Sequence, residues 1–474
     1  MTRAASVLPP VFVWGASTAA YQIEGAALLD GRTDSVWDAF CRLPGAVVDG
    51  SDGSVATDSY HRLDEDVAAA RALNLDAYRF SASWSRVRPD GGPVNRAGLD
   101  YYSRLVDALL EAGIAPWLTL YHWDLPQALE EQGGWTARDT AHRFVDHALT
   151  LHDALGDRVD VWTTLNEPWC SAFLGYGNGQ HAPGRHDFRA AMAAVHHLLL
   201  GHGLVARELR RRDATVAISL NLDVADPADP TDPRDVSAAV RIDGQWNRLF
   251  LDPLFRGRYP ADVLAETAHL GLAEHVRDGD LDVIATPFDV LGVNYYHGQA
   301  VSHRAPVTPL HGLPATDHPV ISPLPAPEGI HRVPRGLPRT SMGWEVQPEG
   351  LTRLLLRLHQ EYTGPAGVAL AVTETGAAYD DVVGPDGRVY DPQRREFLAA
   401  HVGAVQDAVA AGADVRGFFV WSLLDNFEWA WGYTRRFGLV HVDYATQRRT
   451  LKASGEWYAQ VAAQGGSLWE ERSG

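Results

Sequence analysis

Short apolar and aromatic runs recur along the chain at VFVW (Val11–Trp14), YRFS (Tyr78–Ser81), PWLTLY (Pro116–Tyr121), VDVWTTL (Val159–Leu165), TVAISL (Thr215–Leu220), VLGVNYY (Val290–Tyr296), VALAVT (Val368–Thr373) and GFFVWSL (Gly417–Leu423). Several are apolar at nearly every position. That pattern suits strands covered on both faces, as in a parallel sheet, more than the alternation of a half-exposed strand. Between the runs, LDYYSRLVDALLEA (Leu99–Ala112) and GLTRLLLRLHQEY (Gly350–Tyr362) set apolar residues three and four apart, the spacing of an amphipathic helix. Eight strands, each followed by a helical stretch, predict an α/β fold: a single (β/α)8 TIM barrel with extended βα loops, one domain over residues 1–474. A doubly wound open sheet is the alternative, but it carries a glycine-rich phosphate turn after its first strand, and VFVWGAS leads into none. Residues 303–339 are crowded with proline and show no period. They read as a long irregular loop after the sixth strand, a pocket rim or lid.

In such a barrel, polar residues at the C-terminal ends of strands build the active face. Here the ends are polar and aromatic. The first run leads to Gln22 and Glu24, the second carries Arg79, and the third ends at His122 and Trp123. The fourth ends at Asn166 and Glu167, the fifth at Asn221, and the sixth carries Asn294 and Tyr296. The seventh ends at Glu374; the eighth carries Trp421, with Glu428 and Trp429 in its loop. Glu167 and Glu374 stand out, because a carboxylate that closes a buried strand is costly unless it is paired or used.

Composition narrows the chemistry. The formal net charge is −19, which disfavours nucleic acid as a partner. No apolar run has the length of a membrane span, and the two cysteines, Cys41 and Cys170, form neither a disulfide framework nor a metal pair. A reducing, cytoplasmic setting is the expectation, with no signal peptide in MTRAASVLPPVFVWG. Lys452 is the only lysine, is followed by alanine, and lies beyond the last barrel strand. A P-loop and a Schiff-base barrel mechanism are thereby excluded. No His-x-His or His-Glu-x-x-His occurs, and His196, His197 and His202 do not share one helix face, so no metal site is expected. GYGNGQ (Gly175–Gln180) is not a dinucleotide fingerprint, and there is no Gly-x-Ser-x-Gly elbow.

Two carboxylates facing one another in a tryptophan-lined pocket suit glycoside cleavage: sugar rings stack on indoles, and their hydroxyls pair with amides, imidazoles and carboxylates. A separation of about 5–5.5 Å gives retention of configuration and about 6.5–9.5 Å gives inversion. The residues alone leave both open.

The chain resembles glycoside hydrolase family 1, the β-glucosidase family. The resemblance is carried, in order, by FVWGASTAAYQIEGA (Phe12–Ala26), YRFSASWSRVRP (Tyr78–Pro89), LYHWDLPQAL (Leu120–Leu129), TLNEPW (Thr164–Trp169), GVNYY (Gly292–Tyr296), MGWEVQPEGL (Met342–Leu351), VTETG (Val372–Gly376) and WSLLDNFEWAWGYTRRFGLVHVD (Trp421–Asp443). It implies a retaining exo-β-glycosidase acting without a cofactor on a β-linked glucoside or short oligosaccharide. Glu167 matches the acid/base and Glu374 the nucleophile. Arg79, Tyr296 and Asn294 match its supports. Gln22, His122, Trp123, Asn166, Trp421, Glu428, Trp429 and Phe437 match sugar-binding positions, and Trp344 matches the aglycone platform, with Trp169 near it. Glu428 and the absence of lysine in its loop favour a neutral sugar over a 6-phosphosugar. Glucose, galactose and fucose all remain open, as do a transglycosylase and a non-catalytic sugar-binding barrel; oligomeric state is not legible. One departure stands beside the nucleophile. The family pattern is Thr-Glu-Asn-Gly, and here Thr375 takes the place of the amide.

Overall fold

The computed structural model describes residues 8–9, 11–305 and 322–466. Eight parallel strands close into a barrel in the order expected of repeated βα units. They are β1 (Val13–Ser17), β2 (Ala77–Ser81), β3 (Ala115–Tyr121), β4 (Val161–Asn166), β5 (Thr215–Asn221), β6 (Val290–Asn294), β7 (Ala369–Thr375) and β8 (Val415–Trp421). All seven residues of β7 are buried, which is why that run lacks alternation: its inner face fills the barrel and its outer face meets helices. The helices predicted from spacing are present at Arg96–Glu111 and Pro348–Leu358, the latter continued by a wider turn at His359–Thr363. Strand limits differ from the apolar runs by one to three residues, because ladder pairing sets them.

The floor of the barrel is packed by Ala77, Trp117, Ala217, Ala371 and Phe419. Trp117 and Phe419 meet edge to face, with centroids 5.0 Å apart. Small neighbours make room for these rings. A Cβ on Gly15 would fall 2.3 Å from the Phe419 ring, so only glycine fits there.

Register slips occur in three of the barrel ladders, and each involves β4 or β7. The β4–β5 pairing shifts between Thr163 and Asn166, the β7–β6 pairing between Val372 and Glu374, and the β7–β8 pairing between Val372 and Thr375. A slip of this kind re-aims the side chains that follow it. The two strands so treated are the one that leads into Glu167 and the one that carries Glu374 as its next-to-last residue.

The loop after β6 is more ordered than its sequence suggests. Gln299–Ser302 and His331–Val333 pair antiparallel, and Ala225–Pro227 from the loop after β5 adds a third strand. Three-residue strands are too short to show a period. Residues 306–321 of that loop lie outside the described residues. After β8, Val440–Asp443 and Arg448–Leu451 form a hairpin. Among the described residues no helix is long and apolar enough to cross a membrane.

Candidate active site

A cleft of about 280 Å³ opens at the C-terminal mouth of the barrel. Glu374 and Glu167 both line it, and both are buried. Glu374 is held from two sides: Arg79 donates through Nη1 to Oε1 at 2.7 Å, and the Tyr296 hydroxyl donates to Oε2 at 2.8 Å. Arg79 is fully buried beneath the cleft and reaches it from β2. Its second amino group donates to Asn166 Oδ1 at 2.6 Å. Asn166 in turn lies 3.0 Å from His122 Nε2. Glu167 has no such cation. The Asn294 amide donates to its Oε1 at 2.7 Å, and the Cys170 thiol lies 3.1 Å from Oε2. Asn294 is fixed by Thr373, whose hydroxyl donates to Oδ1 at 2.7 Å.

These environments separate two chemically identical groups. Burial raises Glu167, the nearby Glu374 charge raises it further, and it is pushed up to about 8. Burial also raises Glu374, but Arg79, Tyr296 and Asn294 all oppose that rise by favouring the anion. Of the pair, Glu167 is the one that keeps its proton. Glu167 also sits at φ 45°, a left-handed backbone uncommon outside glycine, as do Trp123 (φ 76°) and Trp429 (φ 50°). Three residues of one small site are thus held in a sparsely populated conformation by their surroundings.

An aromatic wall stands opposite. His122 stacks on Trp421 with centroids 5.6 Å apart, and Trp429 packs against Trp123 at 4.6 Å and Trp37 at 4.5 Å. Trp123 donates its indole N–H to the Asn166 carbonyl at 2.9 Å. Trp344 lies 5.5 Å from Tyr296 and 6.2 Å from Phe437, both ring to ring. Glu428 shares the cleft. Burial and the two neighbouring carboxylates push it up to about 8, opposed by a hydrogen bond from Trp421. Gln22 does not line the cleft but lies buried behind it, donating to Asn426 Oδ1 at 3.1 Å and the Phe427 carbonyl at 2.8 Å.

Glu24, which follows Gln22 in sequence, turns the other way and is consumed by Arg86 at 2.8 Å and the Tyr102 hydroxyl at 2.5 Å. His196, His197 and His202 are buried in the helix Phe188–Arg210, with His196 between Tyr259 and Asp280. One cluster of metal-ligand type occurs among the described residues: Asp232, Asp235 and His303. It lies apart from the cleft and is bonded internally, Asp235 accepting from His303 Nδ1 at 2.7 Å and Ser302 Oγ at 2.9 Å. Thr375 is buried, and its hydroxyl has no partner among the described residues, so it replaces an amide without a hydrogen bond of its own there. Gly376 follows because a Cβ there would lie 1.9 Å from the Trp421 carbonyl oxygen.

Sequence reading missed two features. Cys170 sits three residues after Glu167, one turn on, and only that spacing hints at contact. The larger omission is Lys452. It is fully buried and reaches Asp381 at 2.5 Å and Asp425 at 2.6 Å. Arg394 joins Asp381 and Asp391, and Arg436 joins Asp425 at 2.7 Å. Three cations thus face three carboxylates behind the β8 loop, a charge balance that a buried network requires. Asp425 precedes Asn426, the anchor of Gln22, so this network backs the wall that carries Glu428 and Trp429.

A closed (β/α)8 barrel with two unlike carboxylates in an indole-walled mouth defines a sugar-cleaving class of hydrolase. The model of the Glycosyl hydrolase family 1 matches residues 4–467, and the chain belongs to that family. It is 44% identical to Beta-glucosidase A of Thermotoga maritima over 97% of this chain and 98% of that protein. It is 45% identical to the bifunctional beta-D-glucosidase/beta-D-fucosidase of Bifidobacterium breve over 96% of this chain and 98% of that one. Among solved structures it resembles the psychrophilic beta-glucosidase BglU of Micrococcus antarcticus, with TM-score 0.95 and 53% identity over 99% of this chain and 100% of that chain.

Proposed function

We propose that the protein is a cytoplasmic retaining β-glucosidase that removes terminal non-reducing β-D-glucosyl residues by double displacement, with residues 1–474 forming one catalytic domain. The observation that carries this reading is the asymmetry of the carboxylate pair. Glu374 has the guanidinium and phenol that keep a nucleophile ionised, while Glu167 has the environment of a protonated acid. The Asn294 amide donates to Glu167 at 2.7 Å and to Asn166 at 3.1 Å, and Asn166 accepts from Arg79, the cation on Glu374, so one short chain of side chains joins the pair. That supports the narrower carboxylate spacing of retention.

In the first step Glu374 attacks the anomeric carbon, the bond to the leaving oxygen breaks, and Glu167 gives that oxygen its proton. A glycosyl ester forms on Glu374. Its charge is then gone, the repulsion that raised Glu167 disappears, and Glu167 becomes the more acidic group needed as a base. Water then attacks the ester carbon while Glu167 takes its proton, and Glu374 leaves as the carboxylate. His122, Asn166, Glu428 and Trp429 hold the sugar hydroxyls, Gln22 backs that wall through Asn426 and Phe427, Trp421 lies under the ring with Phe437 at the sugar's edge, and Trp344 bounds the leaving-group side. Asn166 is already oriented by Arg79 and His122, so its contact costs little reorganisation.

An activated 2-deoxy-2-fluoro-β-glucoside tests the reading. Intact mass should rise by one fluoroglucosyl unit, and the digest should carry it on the peptide containing Glu374. No adduct, or an adduct on another residue, sinks the assignment. A dual gluco/fuco specificity is the second reading, favoured by the name of the Bifidobacterium breve relative. The ratio of kcat/KM for 4-nitrophenyl β-D-glucoside and β-D-fucoside decides between them.

A further inference from the structure

The wall of the cleft on the Glu167 side carries a basic group that the reaction does not use. This wall is built from residues after β4, β5 and β6: Trp169, Asp223, Trp246 and Arg332 all line it. Because Glu167 belongs to the same flank, it is the leaving-group side. Trp169 and Trp246 are stacked, with centroids 3.7 Å and planes 19° apart. The Trp246 indole N–H is already spent on the Asn221 carbonyl at 3.0 Å, while the Trp169 indole N–H has no partner among the described residues, so the pair offers a ligand flat apolar surface and one free donor. Arg332 lies over this platform, its guanidinium carbon 5.8 Å from the Trp246 ring centre.

Arg332 is the central residue of the strand His331–Val333 and is exposed within the open cleft. Among the described residues its guanidinium has no hydrogen bond and no ion pair. Its neighbour Arg335 shows the contrast: it is tied to Asp226, Glu345 and the Gly298 carbonyl. One carboxylate attracts Arg332 without touching it, that of Asp223. Asp223 is buried, its Oδ2 is taken by Gln299, and its Oδ1 has no partner among the described residues. In a chain of net charge −19, a guanidinium with no hydrogen-bonded partner among the described residues, beside a stacking platform, is a specific feature.

We propose that this flank selects flat aromatic leaving groups that carry a carboxylate, with the Trp169–Trp246 platform holding the ring and Arg332 pairing with the anion. A planar guanidinium matches a carboxylate with two parallel hydrogen bonds, and it keeps this fit while stacked on an indole. The proposal rests on the β-glucosidase reading and deepens it.

The test compares the β-D-glucosides of 4-hydroxybenzoate and of its methyl ester, which differ in charge at one end of the aglycone. The acid-to-ester ratio of kcat/KM is measured in wild type, Arg332→Gln and Arg332→Lys. The ratio should fall about fivefold in Arg332→Gln, keep part of its value in Arg332→Lys, and fall in wild type but not in Arg332→Gln as salt is raised. An unchanged ratio in Arg332→Gln overturns the proposal. So does an equal loss on acid and ester, which would make Arg332 a general packing residue. If wild type cleaves neither glucoside while remaining folded, the β-glucosidase reading fails first and takes this one with it.

Discussion

Glu374 and Glu167 close the two barrel strands whose ladders slip, both are buried, and both lie under the influence of Asn294. They differ in what stands on their far side. Glu374 meets a guanidinium and a phenol; Glu167 meets a thiol. The lesson is that a barrel can make an anion and an acid from the same residue type by placing one arginine. Burial, the larger influence on both, does not distinguish them.

The comparison breaks most completely when the proposed nucleophile is removed. Glu374→Ala should lower kcat for every aryl β-glucoside by about four orders of magnitude or more, because the covalent route is lost. Azide or formate should then restore turnover with an α-configured product, read by NMR; a β-configured product would contradict the assignment. Glu167→Gln should act more selectively. Poor leaving groups should lose about 10²–10⁴-fold in kcat/KM, and dinitrophenyl glucosides, which need no proton, far less. A uniform loss across leaving groups would break the division of labour.

The same variant sharpens the energetic side. The folded-state pKa of Glu167 lies at about 8, above the ordinary carboxylate value of 4.5. Its contribution to stability is therefore complete below pH 4.5 and is lost as pH rises through 8. Glu167→Gln cannot ionise, so it should unfold about one to three degrees above wild type at pH 8 and show no such gain near pH 4.5. The smallest effect concerns Cys170. Its hydrogen bond favours the charged form of Glu167. The alkaline limb of kcat/KM, expected near pH 8 in wild type with Glu167 as the acid, should move upward by less than about one unit in Cys170→Ala. A downward move would show that the thiol does not donate to Glu167.

The barrel was legible because parallel strands buried on both faces leave unbroken apolar runs, and these runs recur eight times. The mouth was legible because its polar groups follow directly on those runs: Asn166 closing β4 with Glu167 just after it, and Glu374 near the end of β7. Much else depends on chain crossings that no local pattern records. Arg394, Asp425 and Lys452 come from three separate stretches and meet only in the folded protein. Arg332 lies in a strand of three residues, too short for alternation, and Trp246 in a turn of the β5–β6 connection. Glu24 shows the opposite failure. It follows β1 as closely as Gln22 does, yet its side chain leaves the cleft for Arg86.

The network behind the β8 loop has a consequence outside catalysis. Lys452 is the only lysine in the chain and is wholly enclosed between Asp381 and Asp425. The folded surface, for all its arginines, therefore presents no lysine amine. Acylating dyes, aldehyde fixatives and lysine-specific proteases find no side chain to act on until this part of the molecule opens. Reaction at the Lys452 side chain, read on its own peptide, is thus a built-in clock for that opening.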